Sequence, residues 1–237
     1  MRTKALLGLA IPLACAALFV RLGIWQVARH QDRAAYNVAV AARLAQGPAP
    51  FTTLPTDTGA MRGRRVTLTG RFRYDLEQVL ASRSNGGAPG VHLLTPLERD
   101  VNDTLVIVVR GWVFSPDAAT VDRALWREGD TVTVAGYASP LQASGPPPPT
   151  DSLKPLRLAS QSALSARLGR PVAPALLVMT ADSTRPAGSV PRRLGVPELS
   201  AGSHKSYAIQ WFAFALIAVV GGVLLFRRGI VADSTPT

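Results

Sequence analysis

The sequence predicts a membrane protein in which two transmembrane helices flank an extracytoplasmic, β-rich α+β domain. Three observations carry this prediction. Residues 207–226 run without a charge, and ~20 such residues cross a hydrocarbon core ~30 Å thick as one helix. A second apolar run, residues 5–20, is broken only by Arg21 before Leu22-Gly23-Ile24-Trp25. From residue 64 onward the hydrophobic period becomes two, the pattern of half-buried strands.

The expected boundaries are residues 1–28 for the first helix and its short cytoplasmic start, and 29–203 for the domain. Residues 204–228 make the second helix and 229–237 a short cytoplasmic tail. The basic start, Arg2 and Lys4, and the small residues Ala14-Cys15-Ala16-Ala17 also fit a cleavable signal peptide. An uncleaved span is favoured because the apolar run passes those residues and ends at Trp25, a usual interface anchor. Arg21 is read as an anchor that snorkels to the headgroups. Arg2, Lys4, Arg227 and Arg228 flank the two spans on one side, which the positive-inside rule places in the cytoplasm. Arg29 and Arg33 on the other flank weaken that count.

Taken in order, residues 26–45 are Ala-rich and continue the first helix until Gln46-Gly47-Pro48 ends it. Residues 51–63 carry Pro, Thr, Asp and Gly and read as a loop. Strands are predicted at 66–72, 78–82, 90–97, 105–109, 131–137 and 175–180. Asn85-Gly86-Gly87 supplies a turn between the second and third. Leu105-Val106-Ile107-Val108-Val109 is wholly apolar and mostly β-branched, so it should be a central strand buried on both faces. A short amphipathic helix is expected over 116–128, and another after Ser160 as N-cap, stopping at Gly169. Gly145 to Pro149 is an extended spacer, and 184–202 is a Pro- and Gly-punctuated link to the second span. No internal repeat is evident.

Composition excludes more than it selects. The one cysteine, Cys15, rules out a disulfide framework within the chain and any multi-cysteine metal site. A formal charge of +11 would suit nucleic acid, but the basic residues flank apolar helices or lie scattered, with no aromatic-interleaved stripe. Anionic lipid headgroups or an acidic protein are the better counterpart; no nucleic-acid partner is expected. Phosphate loops, nucleophile elbows, His-Glu-x-x-His and Cys-x-x-Cys-His are all absent from the sequence. Asp75 and Glu77 read as a solvated turn rather than an acid–base pair, and His92 as a structural residue in a strand. The chain is not expected to be an enzyme.

What remains is His204, just ahead of the second span. If the helix begins there, His204, Tyr207 or Ala208, and Trp211 share a face at i, i+3/i+4 and i+7. Two readings stay open on that face. Trp and Tyr are ordinary interface anchors, and a neutral imidazole is also an iron ligand.

Several motifs in order resemble one family. They are Gly23-x-Trp25-Gln26-x-x-Arg29 at the exit of the first span, Val66-Thr67-Leu68-Thr69-Gly70-Arg71-Phe72, and Pro89 through Leu97. Val108-Val109-Arg110-Gly111-Trp112-Val113 and Ser203-His204-x-x-Tyr207-Ala208-x-x-Trp211-Phe212 complete the set. Together they resemble the surfeit locus protein 1 family, assembly factors of haem-copper cytochrome c oxidase. Val109 stands where that family commonly has asparagine, and Lys205 where it has an apolar residue.

The resemblance implies a chaperone-like role in respiratory-chain biogenesis, in the bacterial inner (plasma) membrane, with both termini cytoplasmic. Haem a would be bound transiently and its insertion into oxidase subunit I assisted, with haem A synthase as a possible donor. His204 would ligate the haem iron, and Tyr207 and Trp211 would complete the cofactor site. Gly23, Trp25, Gln26, Arg29, Gly70, Arg110 and Gly111 would serve packing and partner contact. The alternative is a membrane-anchored scaffold that stabilises oxidase intermediates without touching haem.

Overall fold

The computed structural model describes residues 2–99, 102–149, 151, 154–180 and 188–233. It divides into two compact units, Met1–Ala39 with Leu199–Thr237, and Val40–Glu198.

The first unit is a pair of helices. Helix α1 runs Arg2–Ala45 and α4 runs His204–Asp233. Both are long and apolar enough to cross a bilayer, over Leu9–Ala45 and His204–Arg228. At 1.5 Å per residue, the apolar stretch of α1 needs only about half of its 44 residues to span ~30 Å. The first helix thus continues well past residue 28, and the second past residue 228; residues 234–237 lie outside the described residues. Ile11, Leu18, Ile24, Ile209, Leu216, Ile217 and Leu225 all face outward.

The two helices run antiparallel, because contacts advance down one as they retreat along the other: Gln26 to His204, Phe19 to Trp211, Pro12 against Gly222. The inward residues are Ala16, Phe19, Gly23 and Gln26 on α1, and His204, Ala208, Trp211, Ala215 and Gly222 on α4. Steps of three and four are the seam of a coiled coil. Small residues let the backbones approach. A Cβ at Gly23 would lie 2.6 Å from the Phe212 ring, and one at Gly222 2.7 Å from the Pro12 side chain.

The second unit is a β-barrel with flanking strands. The strands are β1 (Ala49–Pro50), β2 (Arg65–Phe72), β3 (Gln78–Asn85), β4 (Ala88–Arg99), β5 (Asn102–Phe114), β6 (Thr131–Pro140) and β7 (Ala175–Met179). Five of them close on themselves in the order β2-β6-β7-β5-β4, and β4 returns to β2. Closure is made by Arg71 opposite Glu98 and Phe72 opposite Leu97. Strands β1 and β3 extend the free edges of β2 and β4. Among the described strands, β5–β7 and β1–β2 pair in parallel and the other strand pairs are antiparallel.

Period-two alternation fills both faces. Val66, Leu68, Phe72, Val106, Val108, Val134, Ala138, Ala175 and Leu177 make the interior cluster. Leu105, Ile107 and Val109 of the same β5 face the other way, into a cluster with Leu156, Leu164, Leu168 and Val172. Helix α3 (Gln161–Leu168) covers that outer face; the Ser160 hydroxyl caps Ala163 N and Gly169 ends the helix with φ 66°. Strand β5 is therefore buried on both faces, as its composition predicts.

Two local expectations fail. Residues 116–128 hold only a 3-10 turn, Arg123–Trp126. Asp117 diverts the chain by accepting from the backbone N–H of Ala119 and Thr120, each at 2.9 Å, and from the Ser115 hydroxyl at 2.6 Å. Such side-chain bonds compete with a helix start. Residues 51–63 are more ordered than a loop, with a 3-10 turn at Phe51–Thr53 and helix α2 (Thr58–Met61) capped by Asp57. Those turns drop Phe51 and Met61 into the interior cluster, a tertiary reward that local composition does not announce.

His92 on β4 lies between Leu80 and Trp112. Burial, aided by Arg83, pulls its pKa down to about 4. A depressed histidine contributes stability that is complete above its ordinary pKa and is lost as pH falls from about 6.5 toward 4. Allowing for partial exposure, the loss should be on the order of 2 kcal/mol. Thermal unfolding of the detergent-solubilised full chain should show Tm falling across that window, and His92→Gln should flatten the slope. An equal slope in both proteins would remove His92 as its source.

Candidate functional site

The candidate site sits at the mouth of the helix pair, where α4 begins. Gly202, at φ 72°, turns the chain, and Ser203 O accepts the first helical N–H, from Tyr207, at 3.1 Å. His204 then meets α1: its Nδ1 lies 2.9 Å from Gln26 Oε1. An amide oxygen only accepts, so Nδ1 is the donor in this bond, and in the neutral imidazole Nε2 then keeps its lone pair. Nε2 takes no hydrogen bond among the described residues, and a Cβ at Gly202 would lie 3.6 Å from it. Glycine there leaves that edge of the ring uncovered by a side chain. This is the arrangement by which a metal-binding histidine is oriented through its other nitrogen.

The remaining predicted residues divide. Gly23 and Gln26 lie in the seam, and Gln26 is only 9% exposed. Trp211 is also in the seam, stacked on Phe19 at 5.6 Å and edge-on to Phe214 at 5.9 Å. Tyr207 turns outward and Ala208 takes its place against α1. Trp25 is outward too, with the Arg29 guanidinium 5.9 Å from its ring; Arg29 also approaches Asp32 at 3.8 Å. Of the predicted set, only Gln26 and His204 are joined by a side-chain hydrogen bond among the described residues.

Above the seam, α1 grips the segment that leads into α4. Arg33 Nε donates to Ser200 O at 3.3 Å, and Asn37 Nδ2 to Leu199 O and Ser200 O at 3.1 and 3.0 Å. These clamps carry no signal in the sequence beyond their helical spacing from Gln26.

Gly70, Arg110 and Gly111 belong to the barrel. Arg110 is the extra residue of a β-bulge, since Leu94 opposes Val109 while Leu93 opposes Gly111. Its side chain is fully buried, 5.9 Å from the Phe72 ring and 5.1 Å from the Tyr74 ring. It donates to Glu77 Oε2 at 2.6 Å, Thr95 Oγ1 at 2.6 Å, Glu128 Oε2 at 2.9 Å, and the Trp126 carbonyl. Glu77 is therefore no part of a solvated turn: it is 1% exposed and also accepts from the Thr95 hydroxyl. Asp75 alone stays at the surface, its carboxyl held below the usual range chiefly by Arg73.

Gly111 has φ 153° and faces the chain that returns toward α4. A Cβ there would lie 2.5 Å from Arg192 O, which accepts from Trp112 N at 2.8 Å. That approach delivers Arg193 to Glu128, at 2.7 Å, and to Arg110 O at 2.5 Å. Among the described residues, Arg110 and Arg193 thus meet Glu77 and Glu128 in one largely buried network. The sequence gives no sign of the roles of Thr95, Glu128 and Arg193, and it misplaces Glu77 at the surface, because their partners are 15 to 83 residues away. Among the described residues, no group of three or more His, Cys, Asp or Glu side chains is placed to hold a metal ion.

These features define a class: a closed barrel domain flanked in sequence by two apolar helices, with a hydrogen-bonded histidine at the mouth of the helix pair. The chain belongs to the SURF1 family, whose sequence profile matches residues 13–216. It is 27% identical to a SURF1-like protein of Monosiga brevicollis over 88% of this chain and 83% of the relative. It is 28% identical to an uncharacterised SURF1-like protein of Mycobacterium tuberculosis over 86% and 76% of the two chains. Over 52% of its length it is 30% identical to the cytochrome oxidase assembly protein SHY1 of Saccharomyces cerevisiae, covering 31% of that protein.

Proposed function

We propose that this chain is a non-catalytic assembly factor for haem-copper cytochrome c oxidase that binds haem a through His204 and assists its insertion into subunit I. Haem is cargo in this reading, received with haem A synthase as a donor partner and held only until transfer. The observation that carries it is the Gln26–His204 hydrogen bond, which engages Nδ1 and leaves Nε2 without a hydrogen-bond partner among the described residues. The oxidase comes from the family match and from the name of the yeast relative. The outward apolar faces of α1 and α4 support a place in the bilayer, since water tolerates no such continuous apolar surface. The basic ends support both termini in the cytoplasm of a bacterial inner membrane, with the barrel on the far side.

A second reading has its own support. Trp211 is packed on Phe19 and Phe214, and Tyr207 is outward, so neither is needed for a ligand. A scaffold that steadies oxidase intermediates would use the same helix pair without haem.

The test is complementation. In a strain lacking this chain, the wild type should restore haem a-containing oxidase in membranes and His204→Ala should not. Gln26→Leu should weaken haem retention roughly tenfold, as losses of orienting partners do. Full restoration by His204→Ala would remove the ligand role and leave the scaffold.

A further inference from the structure

One imidazole at the same mouth has no assigned work. His30 lies one turn beyond Gln26 on α1. Its three neighbours on that face reach α4 or the segment just before it: Gln26 meets His204, while Arg33 and Asn37 hold Ser200 and Leu199. His30 therefore lies alongside residues 201–204, the turn that Gly202 leaves bare. Its ring is half-buried, and its Nδ1 is shielded from water with no hydrogen-bond partner. Leaving a buried polar atom unpaired typically costs about 1–3 kcal/mol. A seam in which Gln26 satisfies His204 but nothing satisfies His30 is incomplete as pure packing.

We propose that His30 is the second axial ligand of the haem iron held by His204, making the mouth a bis-histidine site. This rests on the haem reading above. Residues i and i+4 on a helix have Cβ atoms roughly 6 Å apart, so His30 starts about that far from the Gln26 side chain that touches His204. Two imidazole nitrogens across one metal stand about 4 Å apart, from a metal–nitrogen bond of roughly 2 Å. The bare turn at Gly202 gives the macrocycle edge a wall without side chains. Two neutral imidazoles make iron six-coordinate and leave no open position for dioxygen, which suits a holder of haem rather than a site of oxygen chemistry.

The experiment is optical and spin-state spectroscopy on the full chain, purified in detergent from cells that make haem A. The wild type should be six-coordinate and low-spin. His30→Ala should keep haem at the same stoichiometry but become high-spin, and added imidazole should restore the low-spin spectrum. His30→Gln gives the same readout should the alanine variant fail to accumulate. A high-spin wild type, or a His30 variant with an unchanged low-spin spectrum, overturns the second ligand while leaving His204 in place. A wild-type chain without haem overturns this inference and the haem reading together.

Discussion

Arg110→Met is expected to destabilise the barrel domain by roughly 3–5 kcal/mol, the cost of breaking a buried ion pair by removing one partner. The reason is the company Arg110 keeps. Its guanidinium is fully buried and supplies the donor to Glu77, itself 1% exposed. Without it, a carboxylate is left in a closed site with, among the described residues, the Thr95 hydroxyl as its one side-chain donor. Truncation also strips a donor from Glu128 and from the Trp126 carbonyl. The double variant Arg110→Met/Glu77→Met should lose less than the sum of the two single changes, because replacing both partners avoids the stranded charge. Denaturant midpoints of the solubilised full chain measure all three. A single-variant loss below about 1 kcal/mol would mean the network is ornamental to stability.

Gly70→Ala should open the barrel at its closing seam. Gly70 occupies an inward position of β2, in phase with Val66, Leu68 and Phe72. A Cβ there would overlap the Leu97 side chain and the Glu98 carbonyl oxygen, and these residues belong to the short β2–β4 pairing. One contact is backbone, so it does not yield by a rotamer change. Overpacking of this kind costs about 1–3 kcal/mol, and here the strain falls on few hydrogen bonds. Hydrogen exchange reads it locally: the Arg73 amide, which donates to Pro96 O at 2.8 Å, should lose protection well before the amides of β5. Unchanged protection of Arg73 would show that closure does not depend on Gly70.

Much of this fold was legible because it is periodic. Unbroken apolar length marked both helices, alternation marked β2 and β6, and the all-apolar run of β5 foretold burial on two faces. The Ser160 cap and Gly169 stop bounded α3 because capping chemistry is local. Barrel closure was not legible: it depends on β4 being long enough to hold β3 on its first half and β2 on its last residues. The steps of three and four on α1 and α4 were present in the sequence but hidden among residues apolar on every face. At the site, His204 stood out by elimination and Gln26 by motif. The partnership between them needed the antiparallel register, which no single helix encodes. Glu77 misled because a carboxylate beside a turn is normally solvated, and its arginine lies 33 residues on.

The central claim, that the mouth of the helix pair holds haem, is tested most directly by the haem content of the purified chain. The full-length protein should be isolated from matched cells with and without haem A synthase, and its absorption spectrum recorded in both. The account predicts close to one haem a per chain when the synthase is present, with its loss in His204→Ala. A chain that purifies folded and free of haem from synthase-containing cells would contradict it and leave the scaffold as the function.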